Sequence, residues 1–461
     1  MFRSINPATG EEFATYPELD GAALDTRLQN AADCWRDWRG SPIEQRTALI
    51  GRIADRFEAE QERLARMATD EMGKTLKEAR AEVAKCVTGF RYFAEHGPEW
   101  LEPRPIPGGK GKLHWQALGP VLAVMPWNFP YWQVVRFLAP TILAGNVGLL
   151  KHASNVQGVA GLIDEMVTAA GAPEGLFQNL AIKSRAVAGV IADDRIAAVT
   201  LTGSEGAGRA VAEEAGRALK KVVLELGGSD PFIVMPSADL DATVAAAVKA
   251  RVQNTGQSCI CAKRMIIHAE VYDEFERRFT EAMMAVQAGD PTSDATDMGP
   301  LSSAEQRDTV LEQMEDAKAT GATLVGGEAV DGPGAFMTAG VLTGIPLDHE
   351  VAKEEVFGPV AMLFRAADID EAIRIANATP FGLGSSIWTA DEGEQGRLVA
   401  GIEAGMVAVN QMLASTPEAP FGGIKTSGHG RELGPWGLHE FMNLKAEMRA
   451  PATSGGGEKV E

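Results

Sequence analysis

Residues 197–228 read AAVTLTGSEGAGRAVAEEAGRALKKVVLELGG and carry the repeating unit of the fold. An apolar run comes first, an amphipathic segment follows, and a second apolar run ends at Gly227 and Gly228. Uninterrupted apolar runs are typical of strands buried on both faces, and amphipathic segments between them are typical of covering helices. The stretch therefore predicts a strand, a helix and a strand of a mainly parallel sheet.

The same alternation extends on both sides of this stretch. Residues 43–96 place apolar side chains three and four apart, which predicts outer helices with one buried stripe. After residue 230, helices are predicted near 237–253, 271–287 and 303–320, and strands in ATLVGG, PVAMLF and GSSIWT. The predicted fold class is α/β, with a Rossmann-type nucleotide-binding domain and a second α/β domain.

Composition and charge narrow the classes of function. The chain has 461 residues, of which 45% are hydrophobic and 23% charged, as in folded water-soluble proteins. Its net charge of −20 disfavours nucleic acid and anionic membranes as partners. The longest apolar stretch, residues 137–150, contains Pro140 and Asn146 and is too short to span a bilayer. Because the first residues lack the pattern of a secretory signal, we predict a cytoplasmic protein.

The cysteines and histidines predict neither a disulfide framework nor a metal site. Four cysteines are too few for a disulfide framework in a chain of this length: Cys34, Cys86, Cys259 and Cys261. The His-Glu pairs at 349–350 and 439–440 lack the second histidine of a zinc motif, and no second cysteine pair accompanies 259–261. A cysteine in an unusual setting is then a candidate for chemistry.

Cys259 has such a setting in QNTGQSCICAKR, residues 253–264. Small residues before it would let a substrate approach the sulfur. Taken alone, the pattern is weak evidence and a buried core thiol is the more common case, because reactivity depends on the surroundings of the sulfur.

Three further segments contain candidate groups. Glu225 ends a buried apolar run, where desolvation would raise its pKa and make it a usable general base, unless it is a strand-end carboxylate paired with a lysine. Asn128 lies between two prolines in VMPWNFPYWQVVR, as an oxyanion donor or as a simple turn cap. Gly203 and Ser204 open a glycine-rich helix start that could hold phosphate, although the spacing is not the usual dinucleotide motif.

Together, in this order, these segments strongly resemble the aldehyde dehydrogenase superfamily, from about residue 5 to residue 447. The resemblance rests on seven motifs: Pro126-Trp127-Asn128-Phe129-Pro130, Lys151-His152-Ala153-Ser154, Thr202-Gly203-Ser204, Glu225-Leu226-Gly227-Gly228, Gly256-Gln257-Ser258-Cys259, Glu354-Glu355-Val356-Phe357-Gly358-Pro359-Val360 and Pro420-Phe421-Gly422-Gly423-Ile424-Lys425. Because all seven motifs occur in the order of the family, the resemblance outweighs the alternative interpretations of each single motif.

The resemblance implies a catalytic set of three residues. Cys259 would be the nucleophile that attacks the aldehyde carbon, and the Asn128 amide and the Cys259 backbone N–H would hold the oxyanion. Hydride would pass to nicotinamide, and Glu225 would activate the water that hydrolyses the thioester.

The resemblance also implies a cofactor set, drawn from separate motifs: Trp127, Lys151, Ser154, Gly203, Ser204, Glu355 and Phe357. Ser154 occupies a position where members that prefer NAD often carry a glutamate. A small neutral serine leaves room for a 2′-phosphate and Lys151 adds positive charge, so we expect NADP to be accepted, with the preference between NAD and NADP left open.

Within the family, the chain is most similar to succinate-semialdehyde dehydrogenases. Arg136 matches the arginine that binds the distal carboxylate there, and Ser415 matches a supporting hydroxyl. The second arginine of that group is Gln253 in this chain, so one charged anchor remains and specificity could be broad. Succinate semialdehyde is the predicted substrate, and glutarate semialdehyde or uncharged aliphatic and aromatic aldehydes are the alternatives.

The role of Cys261 and the class of protein each have alternative interpretations. Cys261 matches a cysteine that in some relatives forms an inactivating disulfide with the nucleophile and in others only packs. A cysteine hydrolase would use Cys259 and Glu225 without the cofactor residues, and a non-catalytic scaffold would not need every catalytic position filled.

The resemblance finally implies a domain plan: NAD(P)-binding domain 1–103 and 119–227, catalytic domain 228–430, oligomerisation strands 104–118 and 440–450, and disordered tail 451–461. We expect the strands near 104–118 to pair with the C-terminal strand of a neighbouring subunit, in a homodimer or homotetramer.

Overall fold

A computed structural model describes residues 1–450, and the predicted disordered tail, 451–461, lies outside them. The chain begins with a hairpin and four helices: β1 (Phe2–Ile5), β2 (Glu12–Tyr16), α1 (Gly21–Trp38), α2 (Ile43–Ala59), α3 (Gln61–Met72) and α4 (Leu76–Trp100). The outer helices predicted within 43–96 are confirmed as α2, α3 and α4. None of the helices formed by residues 1–450 is long and apolar enough to cross a membrane.

The break between α3 and α4 has a local cause. Gly73 has a φ of 86°, a left-handed conformation that glycine adopts readily and that ends α3. Two residues later, the Thr75 hydroxyl and the Glu78 side chain form a capping box that starts α4. The register of α4 fixes which of its side chains face the centre of the molecule.

The central part of the chain alternates strands and helices: β3 (Arg104–Pro105), β4 (Gly111–Ala117), β5 (Pro120–Met125), α5 (Trp132–Ala144), β6 (Val147–His152), α6 (Gln157–Ala169), β7 (Phe177–Asn179), α7 (Val187–Ala192), β8 (Ala198–Thr202), α8 (Glu205–Arg217) and β9 (Lys221–Glu225). The strand–helix–strand unit predicted for residues 197–228 is confirmed as β8, α8 and β9.

The remainder forms a second series: β10 (Asp230–Val234), α9 (Leu240–Val252), β11 (Ala262–His268), α10 (Ala269–Met284), α11 (Ala304–Lys318), β12 (Thr323–Gly326), β13 (Gly340–Thr343), β14 (Val360–Ala366), α12 (Ile369–Asn377), β15 (Ser386–Trp388), α13 (Glu392–Gly401), β16 (Ala408–Val409), β17 (Gly428–His429), α14 (Gly434–Glu440) and β18 (Met442–Met448). Its three predicted helices are confirmed as α9, α10 and α11.

A six-stranded sheet organises the first half, in the order β17-β9-β8-β5-β6-β7. Its strands run parallel except β17, which pairs antiparallel with β9. Chain order reverses between β5 and β8, because β6 and β7 lie on one side of β5 while β8 and β9 lie on the other. In open α/β sheets, ligands bind beyond the carboxyl ends of the strands at such a reversal.

A seven-stranded sheet organises the second half, in the order β12-β13-β14-β11-β10-β15-β16. It is parallel apart from the β12–β13 pair. Helices on both faces bury two further apolar clusters, one around Ile266 and Phe364 and one around Phe275 and Phe279. The prediction of a second α/β series after residue 230 is confirmed.

The end of the chain differs from expectation in two respects. β17 joins the first sheet, and Phe421, Leu433 and Leu438 pack into the first core, so the chain returns to the cofactor half before residue 430. β18 pairs antiparallel with β4 of the same chain, from Met442 opposite Ala117 to Met448 opposite Gly111. We expected these strands to pair across subunits, but they pair within one chain. All seven residues of β18 find their partners on β4 of the same chain.

Candidate active site

The predicted catalytic side chains follow the carboxyl ends of neighbouring strands. Asn128 comes after β5, Ser204 after β8, and Glu225 is the last residue of β9. Because these strands are parallel, their carboxyl ends meet at one edge of the sheet. The second half of the molecule supplies Cys259 to the same place, on the loop between α9 and β11.

The loop before Cys259 is held in an unusual conformation. Asn254, Thr255 and Gly256 have φ values of 52°, 57° and 72°. Left-handed φ is costly for Asn and Thr, so neighbouring contacts must impose it. The Asn254 backbone N–H donates to Glu78 at 2.7 Å, and the Thr255 hydroxyl donates to the Gly299 carbonyl at 3.1 Å. The nucleophile loop is therefore preorganised.

Two buried cations hold this loop from behind, and the sequence analysis missed both. The Arg251 guanidinium donates to the Gly256 carbonyl at 2.9 Å and to the Gly358 carbonyl. The Lys263 ammonium donates to the carbonyls of Ser258 at 2.8 Å and Cys259 at 2.7 Å. The sequence shows basic residues on both sides of Cys259, but it does not show that their side chains contact the nucleophile loop. Only the fold shows those contacts.

Cys259 lines two cavities that meet at its side chain. We call the first the helix pocket, a cavity of about 290 Å³ between α4 and α5, lined among others by Lys85, Trp132, Arg136, Gln253, Ser415 and Phe421. We call the second the glycine cleft, a cavity of about 310 Å³ lined among others by Trp127, Asn128, Gly203, Ser204, Gly227, Glu355 and Phe357. A molecule in either cavity could reach the sulfur.

The electrostatics around the sulfur favour the neutral thiol. Burial raises the pKa of Cys259 to about 12, although the nearby positive charges of Arg136 and Lys263 oppose that rise. The thiolate is the nucleophilic form. Nucleophilic attack therefore requires a base, or a bound cationic group that stabilises the thiolate.

Asn128 presents an amide in the glycine cleft, which Cys259 also lines. Its side chain is 4% exposed, and its Nδ2 donates to the Gln257 carbonyl at 3.0 Å, which leaves the second N–H of the amide for a ligand. The Cys259 backbone N–H makes no hydrogen bond to other groups of residues 1–450. Each of the two groups therefore keeps an N–H donor for a ligand.

Glu225 lies in a buried cluster with Glu432 and Arg136. It is 1% exposed, and neither carboxyl oxygen has a partner among residues 1–450. Burial first, and the nearby Glu432 carboxylate second, hold the pKa of Glu225 well above its usual range. No hydrogen bond joins Glu225 to Cys259 in the described part of the chain, so a water molecule or a side-chain rotation must connect them.

The glycine cleft is closed on one side by Glu355 and Phe357. The Lys263 ammonium forms an ion pair with the Glu355 carboxylate at 3.1 Å, and the Gly228 backbone N–H donates to it at 3.2 Å. A Cβ atom on Gly227 would lie 2.3 Å from that carboxylate, so the cleft needs glycine there. Phe357 stands edge-on to Trp127 with ring centroids 5.8 Å apart.

The start of α8 and the turn after β6 carry groups that could bind the phosphates of a dinucleotide. Nothing lies within 4 Å of where a Cβ atom of Gly206 would be, so the first turn of α8, capped by Ser204, is open to a phosphate. Lys151, at the end of β6, is 6% exposed, and its ammonium contacts only the Ser184 hydroxyl, at 3.5 Å. It forms no ion pair within residues 1–450. Ser154 is exposed in the following turn.

The predicted substrate residues meet in the helix pocket, with one unexpected pairing. Arg136 forms a buried ion pair with Glu432 and donates to the Thr202 hydroxyl at 3.2 Å. Ser415 is 6% exposed and accepts hydrogen bonds from Trp132 Nε1 and Lys85 Nζ, each at 2.9 Å. The sequence analysis missed Glu432 and Lys85, because neither neighbours its partner along the chain.

Gln253 and Cys261 contact each other at the edge of this pocket. The Gln253 amide lies 3.9 Å from the Cys261 sulfur, and both Cys259 and Cys261 are free thiols. Cys261 is buried, with its sulfur against the α9 end rather than lining either cavity. A redox role for Cys261 stays a prediction.

Comparison with known proteins gives three concordant findings. A model of the aldehyde dehydrogenase family matches residues 1–446. The succinate-semialdehyde dehydrogenase [NADP(+)] of Mycobacterium avium (strain 104) is 52% identical over 468 residues, covering 99% of each chain. A crystal structure of succinic semialdehyde dehydrogenase from Streptococcus pyogenes, in complex with NADP+ as the cofactor, superimposes with a TM-score of 0.95 at 37% identity, covering 97% of this chain and 99% of that one.

Proposed function

The chain belongs to the aldehyde dehydrogenase family, and from that premise we propose that it oxidises succinate semialdehyde to succinate with NADP+ as the cofactor. The observation that carries the proposal is the position of Cys259, which lines both the cation-bearing helix pocket and the glycine cleft. An aldehyde in the first cavity and a nicotinamide in the second would both reach the sulfur. A cysteine hydrolase would have no use for the second cavity.

The first chemical step is attack of the Cys259 thiolate on the aldehyde carbon. A carbon–sulfur bond forms, and the negative charge of the former carbonyl oxygen is held by the free N–H of Asn128 and the Cys259 backbone N–H. The positive charges of Arg136 and Lys263 oppose the rise in the sulfur's pKa without cancelling it, so the thiol must first give its proton to a base. A bound nicotinamide cofactor would supply the hydride acceptor, and loss of hydride from the adduct would leave a thioester on Cys259.

The second chemical step is hydrolysis of that thioester. Glu225 takes a proton from water, the resulting hydroxide attacks the thioester carbon, and the sulfur departs with the acid released. Burial and Glu432 give Glu225 a strong affinity for that proton. The ion pair between Arg136 and Glu432 sets the charge that Glu225 experiences.

We assign cofactor binding to seven residues around the reversal of strand order: Trp127, Lys151, Ser154, Gly203, Ser204, Glu355 and Phe357. Lys263 orients the Glu355 side chain, and Gln306 Nε2 donates to the Phe357 backbone carbonyl at 3.0 Å, so both residues are held before the ring enters. The unpaired Lys151 ammonium and the exposed, neutral Ser154 support binding of a 2′-phosphate. The NADP+ recorded in the S. pyogenes structure supports the same choice.

We assign the aldehyde to the helix pocket, whose walls are Trp132 and Phe421 and whose polar groups include Arg136, Gln253 and Ser415. Basic groups in a short pocket favour an aldehyde with a carboxylate at its far end. Glutarate semialdehyde, one carbon longer, is the second candidate for the same pocket.

We further propose a homodimer or homotetramer in the cytoplasm. The three-stranded sheet β18-β4-β3 leaves apolar side chains exposed, with Leu444 48% and Met448 66% accessible, as a subunit interface would. All four cysteines are free thiols, which supports a reducing compartment.

The proposal is tested by kcat/KM for succinate semialdehyde, glutarate semialdehyde and butanal, each with NADP+ and NAD+. We expect succinate semialdehyde with NADP+ to give the highest value, at least about tenfold above butanal. Equal values for the charged and neutral aldehydes would overturn the substrate assignment. A higher value with NAD+ would overturn the cofactor assignment.

A further inference from the structure

The helix pocket contains three cations whose surroundings differ. Arg136 lies at its inner end, Lys85 on its α4 wall, and Lys249 at its exposed mouth. A cation recognises a substrate carboxylate best when no protein carboxylate already neutralises it. The partners of each cation therefore indicate which of them is available.

Arg136 is already neutralised. Its guanidinium is 3% exposed, forms the ion pair with Glu432, donates to the Thr202 hydroxyl and lies 4.4 Å from the centre of the Phe421 ring. A substrate carboxylate at Arg136 would have to share the guanidinium with a buried protein carboxylate. Such like-charge contacts in a buried site are unfavourable.

Lys85 has no such partner. Its ammonium donates to the Ser415 hydroxyl at 2.9 Å and lies 4.6 Å from the centre of the Trp132 ring. It forms no ion pair with any carboxylate of residues 1–450. An ammonium has three donors, so two N–H bonds remain for a ligand.

The two carboxylates that line the pocket are engaged elsewhere. Glu82 forms an ion pair with Lys74 and accepts the backbone N–H groups of Tyr131 at 2.8 Å and Trp132 at 2.9 Å. Glu78 accepts from Thr75 and from the Asn254 backbone N–H. Neither is available to pair with Lys85.

The Ser415 hydroxyl completes the arrangement. It accepts from both Trp132 Nε1 and Lys85, so its two lone pairs are occupied and its own hydrogen is left without an acceptor in the described part of the chain. The pocket therefore presents an ammonium and a hydroxyl donor side by side, on the wall that a substrate bound to Cys259 would face.

We propose that Lys85, together with the Ser415 hydroxyl, binds the distal carboxylate of the aldehyde substrate. Arg136 instead pairs with Glu432 in the buried cluster around Glu225. The proposal rests on the function proposed above and specifies its substrate class, short aldehydes that end in a carboxylate. Burial and the neighbouring Arg136 lower the pKa of Lys85 to about 8, which is the behaviour of an ammonium that lacks its anion.

The test compares kcat/KM for succinate semialdehyde and for butanal, with NADP+, in Lys85→Met and in Arg136→Ala. Lys85→Met should lose roughly 30- to 100-fold on succinate semialdehyde and less than about threefold on butanal, mainly through KM. Arg136→Ala should lose a similar factor on both substrates, because its loss disturbs Glu225 and Cys259 rather than the carboxylate. Lys85→Arg, which keeps the charge, should restore most of the discrimination.

The matched control is Lys77→Met, at an exposed lysine on the same helix that lies outside both cavities and forms no ion pair with residues 1–450. It should keep both values within about twofold. NADPH binding, followed by nicotinamide fluorescence, reports folding of every variant, and Lys85→Gln replaces Lys85→Met if the latter does not bind the cofactor.

Three outcomes would overturn the proposal. Equal losses on both aldehydes in Lys85→Met would make Lys85 a structural residue. A loss selective for succinate semialdehyde in Arg136→Ala, but not in Lys85→Met, would make Arg136 the anchor. If the unaltered enzyme itself does not prefer succinate semialdehyde to butanal, the proposed function fails first, and that result is distinct from either variant's behaviour.

Discussion

The glycine cleft and the helix pocket meet at Cys259 but differ in how their charges are paired. In the glycine cleft, Glu355 is neutralised by Lys263 and fixed by the Gly228 N–H before any ligand enters. In the helix pocket, Lys85 keeps an unpaired ammonium beside the Ser415 hydroxyl. The first arrangement suits a ring that must be oriented, and the second suits a charged tail that must be recognised.

This difference separates the groups that act in the chemical steps from the groups that select the substrate or the cofactor. Groups near the nucleophile, such as Cys259 itself and Asn128, would act on the carbonyl of any aldehyde. Groups at one end, such as Lys85 or Ser154, act only on the tail of the substrate or on the 2′-phosphate of the cofactor. Substitutions should therefore divide into those that affect all reactions equally and those that change a ratio.

The largest effect is expected at the junction. Cys259→Ala should lower turnover by at least about 10³-fold for every aldehyde, because no carbon–sulfur bond can form, while NADP+ still binds. Steady-state rates and a fluorescence titration of NADP+ measure the two quantities. Turnover at a tenth of normal would mean that another group is the nucleophile.

The next largest effect separates the two chemical steps. Glu225→Gln should give a burst of about one NADPH per active site and then turnover at roughly 1% of normal, because an amide cannot accept the proton from water. Stopped-flow absorbance of NADPH measures both phases. Normal turnover without a burst would remove Glu225 from deacylation.

A smaller effect is expected at the outer end of the glycine cleft. Ser154→Glu should move the ratio of kcat/KM for NADP+ and NAD+ about tenfold toward NAD+, since a carboxylate repels the 2′-phosphate and can bind the ribose hydroxyls. The ratio for succinate semialdehyde and butanal should stay unchanged. If the cofactor ratio stays constant, Ser154 does not contact that end of the cofactor.

The smallest effect is a shift in pH dependence. Because Glu225 must be ionised to act as a base and its pKa is raised, kcat should rise with pH on the acid side. The charges that face Glu225 are Glu432, Glu440, Arg136 and Arg431. Glu432→Gln removes a negative charge, so the pKa of Glu225 should fall and the rise in kcat should move about one pH unit lower. A rise that stays in place, or moves higher, would exclude this coupling.

The sequence predicted one cavity much better than the other. The residues of the glycine cleft occur in short contiguous motifs, so Glu355 and Ser204 could be assigned without a structure. The helix pocket joins positions that are far apart along the chain, with Lys85 and Ser415 separated by 330 positions. Pairings such as Arg136 with Glu432 and Lys263 with Glu355 depend on tertiary contacts, which no local pattern encodes.

The strands show the same limit of prediction from local sequence. The buried runs of β8 and β9 were predicted from their composition, because burial on both faces excludes polar residues. The pairing of β18 with β4 was expected between subunits and occurs within one chain, since a sequence does not show which copy supplies the partner strand. The return of β17 to the first sheet depends likewise on contacts formed only in the folded chain.

The mechanism proposed above requires Cys259 to carry the substrate as a thioester between the two cavities. The most direct measurement is intact-mass and peptide analysis of Glu225→Gln after mixing with succinate semialdehyde, with and without NADP+. The account predicts an added mass of one succinyl group per chain, located on Cys259 and formed only when NADP+ is present. An adduct on Cys261, or none on Cys259 despite NADPH formation, would contradict it.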